Sequence, residues 1–78
     1  MISIKNKKFI TAFGENLKKM RNKADLSQED LANDADIPLS QIGRIERVEI
    51  NTTISTVYVL ATALKTSVVE MFKFSQDE

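Results

Sequence analysis

Between Ser27 and Arg47 the chain reads SQEDLANDADIPLSQIGRIER, and its side chains are suited to polar recognition rather than to bond making. If Leu39 to Arg47 form a helix, Ile42 and Ile45 face one way, while Leu39, Ser40, Gly43, Arg44 and Arg47 share the other side at spacings of three and four. A hydroxyl and two guanidinium groups on one outward helix face suit hydrogen bonding to the phosphates and base edges of DNA. Covalent chemistry has no comparable candidates. The chain has no cysteine and no histidine, which excludes disulfides, zinc sites of the usual Cys/His type and imidazole acid-base catalysis. Its carboxylate pairs have no pocket-forming pattern around them, there is no Gly-rich phosphate loop, and neither an enzyme nor a cofactor is expected.

The elements that must position this stretch are readable from caps and periodicity. Ser27 can cap the N–H groups of a helix opening at Gln28 while Asp30 reaches back, and Leu26 can pack against Leu31. That second helix is expected to end at Asn33 or Asp34, because Ala35-Asp36-Ile37-Pro38 makes a turn, with Pro38 in the first turn of helix three. Before it, Phe9, Phe13, Leu17 and Met20 form the apolar stripe of a first helix over residues 7 to 23, with Lys7, Lys8, Lys18, Lys19 and Lys23 mostly off the stripe. Gly43 within helix three costs about 1 kcal/mol relative to alanine. Either close packing on a neighbouring helix or close approach of DNA is expected to compensate.

After a loop at Val48 to Thr52, the β-branched run 52–59 has strand propensity, but the spacing of Val57, Leu60, Ala61 and Leu64 predicts a fourth helix capped by Thr52 or Thr53. Ser67-Val68-Val69-Glu70 reads as a second capping box, opening a fifth helix that buries Val68 and Met71 or Phe72. The expectation is an all-α, five-helix single domain over residues 1–78, with an N-terminal arm at 1–6 and a polar tail at 75–78. A chain of this length buries only about 60% of its unfolded surface, so the core is small.

The net charge is zero, from 11 basic and 11 acidic residues, but the charges are segregated. Residues 1 to 24 hold seven bases against Glu15, and residues 25 to 36 hold five acids and no base, so one part of the fold is cationic and another anionic. The start, MISIKNKK, lacks the apolar segment of a signal peptide, and a cytoplasmic location is expected.

With LSQEDLA at 26–32, IPLSQIGRIER at 37–47 and ALKTSVVEMF at 63–72 in register, residues 13 to 72 resemble the repressor-type helix-turn-helix domains of the XRE family, which includes the lambda and 434 repressors and Cro. The resemblance implies a five-helix bundle whose third helix enters the major groove, as a two-fold dimer on double-stranded DNA. It further implies that Gln28 contacts a phosphate at a helix N-terminus, that Leu39, Ser40 and Arg44 touch base edges, and that Gln41 and Arg47 contact the backbone. An Arg44 fork can bind O6 and N7 of guanine, Ser40 can donate or accept, and Leu39 can meet a thymine methyl. Each has another possible role: Leu39 can seal the turn, Ser40 can serve the helix start, and Arg44 can pair with a carboxylate such as Glu29. Glu46 resembles the family glutamate that pairs, largely buried, with an arginine of helix one, here Arg21.

Asp25, Asp36 and Val48 stand where the family commonly has glycine. Valine adopts a left-handed backbone poorly, so the exit from helix three is expected to take another path or to carry strain. Glu49 and Ile50 replace residues that are commonly basic, which removes phosphate contacts. The apolar C-terminal end, Val69, Phe72 and Phe74, points to a homodimer through the C-terminal helices. An antitoxin-like or accessory module that binds another protein on the same fold is the alternative.

Overall fold

The computed structural model describes residues 6–74 and contains five helices, α1 (Lys7–Lys23), α2 (Gln28–Ala35), α3 (Leu39–Glu46), α4 (Ile54–Ala63) and α5 (Val68–Met71). The expected arm at 1–5 and tail at 75–78 lie outside the described residues, and Asn6, assigned to the arm, is the N-cap of α1. Four helices open on side-chain caps, which satisfy backbone donors that the helix itself leaves free. Asn6 accepts from Phe9, Ser27 from Asp30, Thr53 from Thr56 and Ser67 from Glu70. At Ser27 the box is complete, with the Asp30 carboxylate accepting from the Ser27 N–H at 3.1 Å. At Ser67 the expected reciprocal half is replaced: the Glu70 carboxylate pairs with Lys73 at 2.9 Å. Helix α3 begins at Leu39 as expected, and Pro38, with φ −61 and ψ 141, is its N-cap and not part of its first turn, because its ψ is extended. Helix α2 reaches Ala35 rather than Asp34, since the left-handed residue that stops it is Asp36.

The four long helices end alike. Asp25, Asp36, Val48 and Lys65 have φ of 62, 57, 62 and 57, and each is followed by an N–H that bonds back five residues: Leu26 to Arg21, Ile37 to Ala32, Glu49 to Arg44 and Thr66 to Ala61. These are Schellman turns with no glycine in any of them. A non-glycine residue in this region costs about 1 to 2 kcal/mol, most for a β-branched one. At Val48 the expected alternative path does not occur; the chain accepts the strained backbone. Its Cγ2 stands 3.5 Å from where a Cβ on Gly14 would be, so the branched side chain fills a space beside α1.

The glycines work inside helices instead. A Cβ on Gly14 would sit 2.6 Å from the Ile45 carbonyl oxygen, so α1 crosses α3 at a separation only glycine allows. The core is built on Leu17, Leu31, Ile42, Ile45, Leu60 and Met71, all fully buried, with Phe13, Ala32, Ala35, Val57 and Ala61 around them. Helix α1 packs on α3 and α5, α2 on α3 and α4, and α4 on α5. The Asn16 amide donates to the Met71 carbonyl at 2.8 Å, tying α1 to the end of α5. Val68, expected inside, is 38% exposed; in a helix of four residues the inward position goes to Met71. Phe72 stacks on Phe9 at 5.7 Å and meets Phe13 at 5.1 Å, while Phe74 meets Phe9 at 5.5 Å. Among the described residues, no helix is long and apolar enough to cross a membrane.

One buried ion pair joins the elements at the centre. Arg21 Nε donates to Glu46 Oε2 at 2.7 Å and Nη2 to Oε1 at 3.1 Å, while Nη1 donates to the Leu26 carbonyl at 2.8 Å. The Glu46 side chain is only 3% exposed, and Gln28 Nε2 donates to its Oε1 at 2.9 Å. The hydrogen bonds from Arg21 to Glu46 hold the guanidinium even more firmly protonated than usual.

Two sets of variants test this packing. Gly14→Ala is expected to lower stability by about 1 to 3 kcal/mol, as overpacking against a carbonyl does, whereas Gly43→Ala is expected to raise it by up to about 1 kcal/mol, measured by urea unfolding. Arg21→Met, which leaves the Glu46 carboxylate buried without its main partner, is expected to cost about 3 to 5 kcal/mol in the same experiment; a loss under 1 kcal/mol would contradict the bridge's structural role.

Candidate nucleic-acid interface

Helix α3 presents its outward face because its apolar residues are consumed elsewhere. Ile42 and Ile45 are fully buried, which leaves Leu39, Ser40 and Arg44 pointing to solvent. Leu39, an apolar residue, is nonetheless 47% exposed at the start of the helix. It does not seal the turn. Ser40 is exposed one residue on, and Gln41 is half-buried on the flank. From Ser40 to Arg44 is one helical turn, about 6 Å along the axis. The expected base-edge residues therefore share one short stripe, and the major groove is wide enough to admit such a helix.

Two of the backbone-contact candidates, Gln28 and Arg47, lie together at the other end of the stripe, while Gln41 is beside Ser40. Gln28 begins α2 but is half-buried, and its amide is engaged with Glu46 rather than pointing freely outward. Arg47 is the C-cap of α3, and its guanidinium folds back over Gly43: Nη1 lies 2.8 Å and the Gln28 Oε1 3.7 Å from the position of a Cβ on Gly43. Gly43 is thus neither pressed against a neighbouring helix backbone nor bare. It lies buried beneath two polar side chains that can move.

Arg44 and Arg47 converge on an acid that the sequence spacing does not suggest. Arg47 Nε donates to Glu49 Oε2 at 2.8 Å and Nη2 to Oε1 at 3.4 Å. Arg44 Nε lies 3.9 Å from Glu49 Oε1, so the nearby carboxylate is Glu49 and not Glu29. Residues two apart on a helix do not face each other, but the left-handed Val48 reverses the chain between Arg47 and Glu49. The hydrogen bonds from Arg47, aided by the positive charges of Arg47 and Arg44, hold the Glu49 carboxyl below the usual carboxylate range. A depressed carboxylate pKa means that the pair is intact at neutral pH and is lost as pH falls through the folded-state value.

The lysines are placed differently from the arginines. Lys19 and Lys23 of α1, with Lys65 and Lys73, line a polar cleft beside Asn16 and Glu70, and none of its lining residues comes from α2 or α3. Lys23 and Lys65 lie at the C-terminal ends of α1 and α4, where a cation offsets the negative end of the helix dipole. Of the polar residues expected to meet DNA, Gln28 stands on α2, Ser40, Gln41 and Arg44 on α3, and Arg47 at the cap of α3.

A helix-turn-helix family model matches residues 17–71, which takes in all of α2 to α5. The control protein C.SmaI of Serratia marcescens is 48% identical over 54 residues, 69% of this chain; the match spans 64% of that relative's length. The crystal structure of the restriction-modification controller protein C.AhdI from Aeromonas hydrophila superposes with a TM-score of 0.79 at 35% identity, covering 81% of this chain and 96% of that one. The controller protein C.Esp1396I, solved as a tetramer in complex with its natural 35 base-pair operator, gives a TM-score of 0.79 at 29% identity, covering 83% of this chain and 86% of that one. With the family model matching well over half of its residues, and with the buried Arg21–Glu46 bridge locking α3 in place, the chain belongs to the helix-turn-helix family.

Proposed function

We propose that the protein is a sequence-specific DNA-binding transcriptional regulator of the restriction-modification controller kind, acting in the cytoplasm as a homodimer with α3 in the major groove. The observation that carries this is the exposed stripe Leu39, Ser40 and Arg44 on a helix whose opposite face is wholly buried. Arg44 reads a guanine through its fork, Ser40 and Leu39 meet neighbouring base edges, and Gln28, Gln41 and Arg47 set the helix against the phosphates. The control proteins among its relatives, one of them solved on its operator, support regulation over catalysis.

The proposed dimer keeps Val69 and the C-terminal helices that the sequence indicated and adds Ile54 and Tyr58 of α4. Phe72 and Phe74 are half-buried against the rings of Phe9 and Phe13, which leaves them less exposed than Val69. Ile54 is 88% exposed, and Tyr58, one turn along α4, and Val69 on α5 are exposed as well. These exposed apolar side chains on α4 and α5 suit a two-fold contact between copies, the arrangement in which paired reading helices meet the two half-sites of an operator.

Selection from a random duplex pool is expected to enrich a near-palindromic motif; no enrichment at low salt would overturn the proposal. Arg44→Ala is expected to lose about 1 to 3 kcal/mol of discrimination at one base pair per half-site, while Gln28→Ala weakens all sites alike. Sedimentation equilibrium is expected to show a dimer that Ile54→Glu with Tyr58→Glu converts to a folded monomer, and monomer alone in the unaltered protein would remove the dimeric part of the reading.

A further inference from the structure

We propose that Glu49 is a built-in competitor for DNA phosphate, an acid that limits binding to arbitrary sequences and so sharpens the choice of operator. The inference rests on the DNA-binding reading of α3. In the free protein a carboxylate occupies the hydrogen-bonding edge of Arg47 at 2.8 and 3.4 Å and stands 3.9 Å from Arg44. A carboxylate and a phosphate offer a guanidinium the same planar pair of acceptors, so either one can satisfy this edge. Glu49 is also held in place by the backbone. Its N–H bonds the Arg44 carbonyl at 2.8 Å across the left-handed Val48, which keeps the acid beside the two arginines even after a phosphate has displaced it from Arg47.

Two consequences separate this role from that of an ordinary surface ion pair. One cation of the reading face is already neutralised before DNA arrives, so binding releases fewer counterions than the number of arginines suggests. The penalty also falls unevenly. Arg47 is closely paired and belongs to the backbone contacts, which every sequence offers, whereas Arg44 is held only at 3.9 Å and remains available to a base edge. Glu49 therefore weakens non-specific binding more than operator binding.

The test compares the unaltered protein with Glu49→Gln, which keeps the size of the side chain and removes its charge, on a selected duplex and on a scrambled duplex of equal length. The variant is expected to bind the scrambled duplex roughly three- to tenfold more tightly and the selected duplex with a smaller gain. The plot of log affinity against log salt is expected to steepen by up to about one unit, with the melting temperature little changed. In an Arg47→Ala background the gain from Glu49→Gln should largely vanish, because the two residues then no longer interact. Unchanged affinity and slope would overturn the inference, as would weaker binding with lost base preference, which would make Glu49 a support for the arginines. An unaltered protein that binds no duplex at any salt would overturn the DNA-binding reading itself, an outcome distinct from binding that Glu49→Gln leaves unimproved.

Discussion

A single buried guanidinium sets the geometry of the reading helix. Arg21 reaches from α1 to the Glu46 carboxylate on α3 and to the Leu26 carbonyl just before α2, and Gln28 closes the ring from α2. Three elements are thus held by one hydrogen-bonded cluster with no buried polar side-chain atom left unpaired among the described residues. Full pairing matters, because desolvating two charges costs several kcal/mol each unless geometry and extra hydrogen bonds offset it. Apolar contacts between α1 and α3 would hold the helices together, but they would tolerate sliding. The directional bonds from Arg21 do not, and a helix that reads base edges cannot be allowed to rotate.

The close approach of α1 and α3 is the second half of the same constraint. Gly14 lets the helices come near enough for the bridge, and Val48 fills the gap beside it at the cost of a strained backbone. Strain at Val48 is useful where it stands, since the turn it makes brings Glu49 back onto the outward face. A single unfavourable residue thereby fixes both the packing of α3 and the charge of its exposed end.

Much of this was legible in the sequence because the signals were local. The Ser27 box, the spacing of Phe13 and Leu17, and the inward Ile42 and Ile45 depend on neighbours three or four residues away, and each has its expected place. The Arg21–Glu46 pair is distant in sequence, and a family resemblance rather than periodicity pointed to it. What escaped were features that depend on three-dimensional neighbours or on a reversed backbone. The rings of Phe72 and Phe74 fold onto Phe9 and Phe13, far away in the chain, so their hydrophobicity pointed to an open surface where the fold leaves both half-buried. Gly14 and Asn16 carry no sequence signal of their roles. Arg47 and Glu49 sit two residues apart, a spacing that means nothing on a helix and becomes an ion pair only because Val48 turns the chain back.

The aromatic contacts have a consequence for how the molecule comes apart. Phe9 lies in the first turn of α1 and Phe74 at the end of the described residues, yet their rings meet at 5.5 Å, with Phe72 touching both. Ends of small helical domains usually fray independently, each at little cost. Here the opening turn of α1 and the segment after α5 share one aromatic cluster, so melting either uncovers the other. The opening turn of α1 and the segment after α5 therefore come apart together, and helix α5, only four residues long, adds these rings to the anchorage given by its buried Met71 and by the Asn16 bond to that residue's carbonyl.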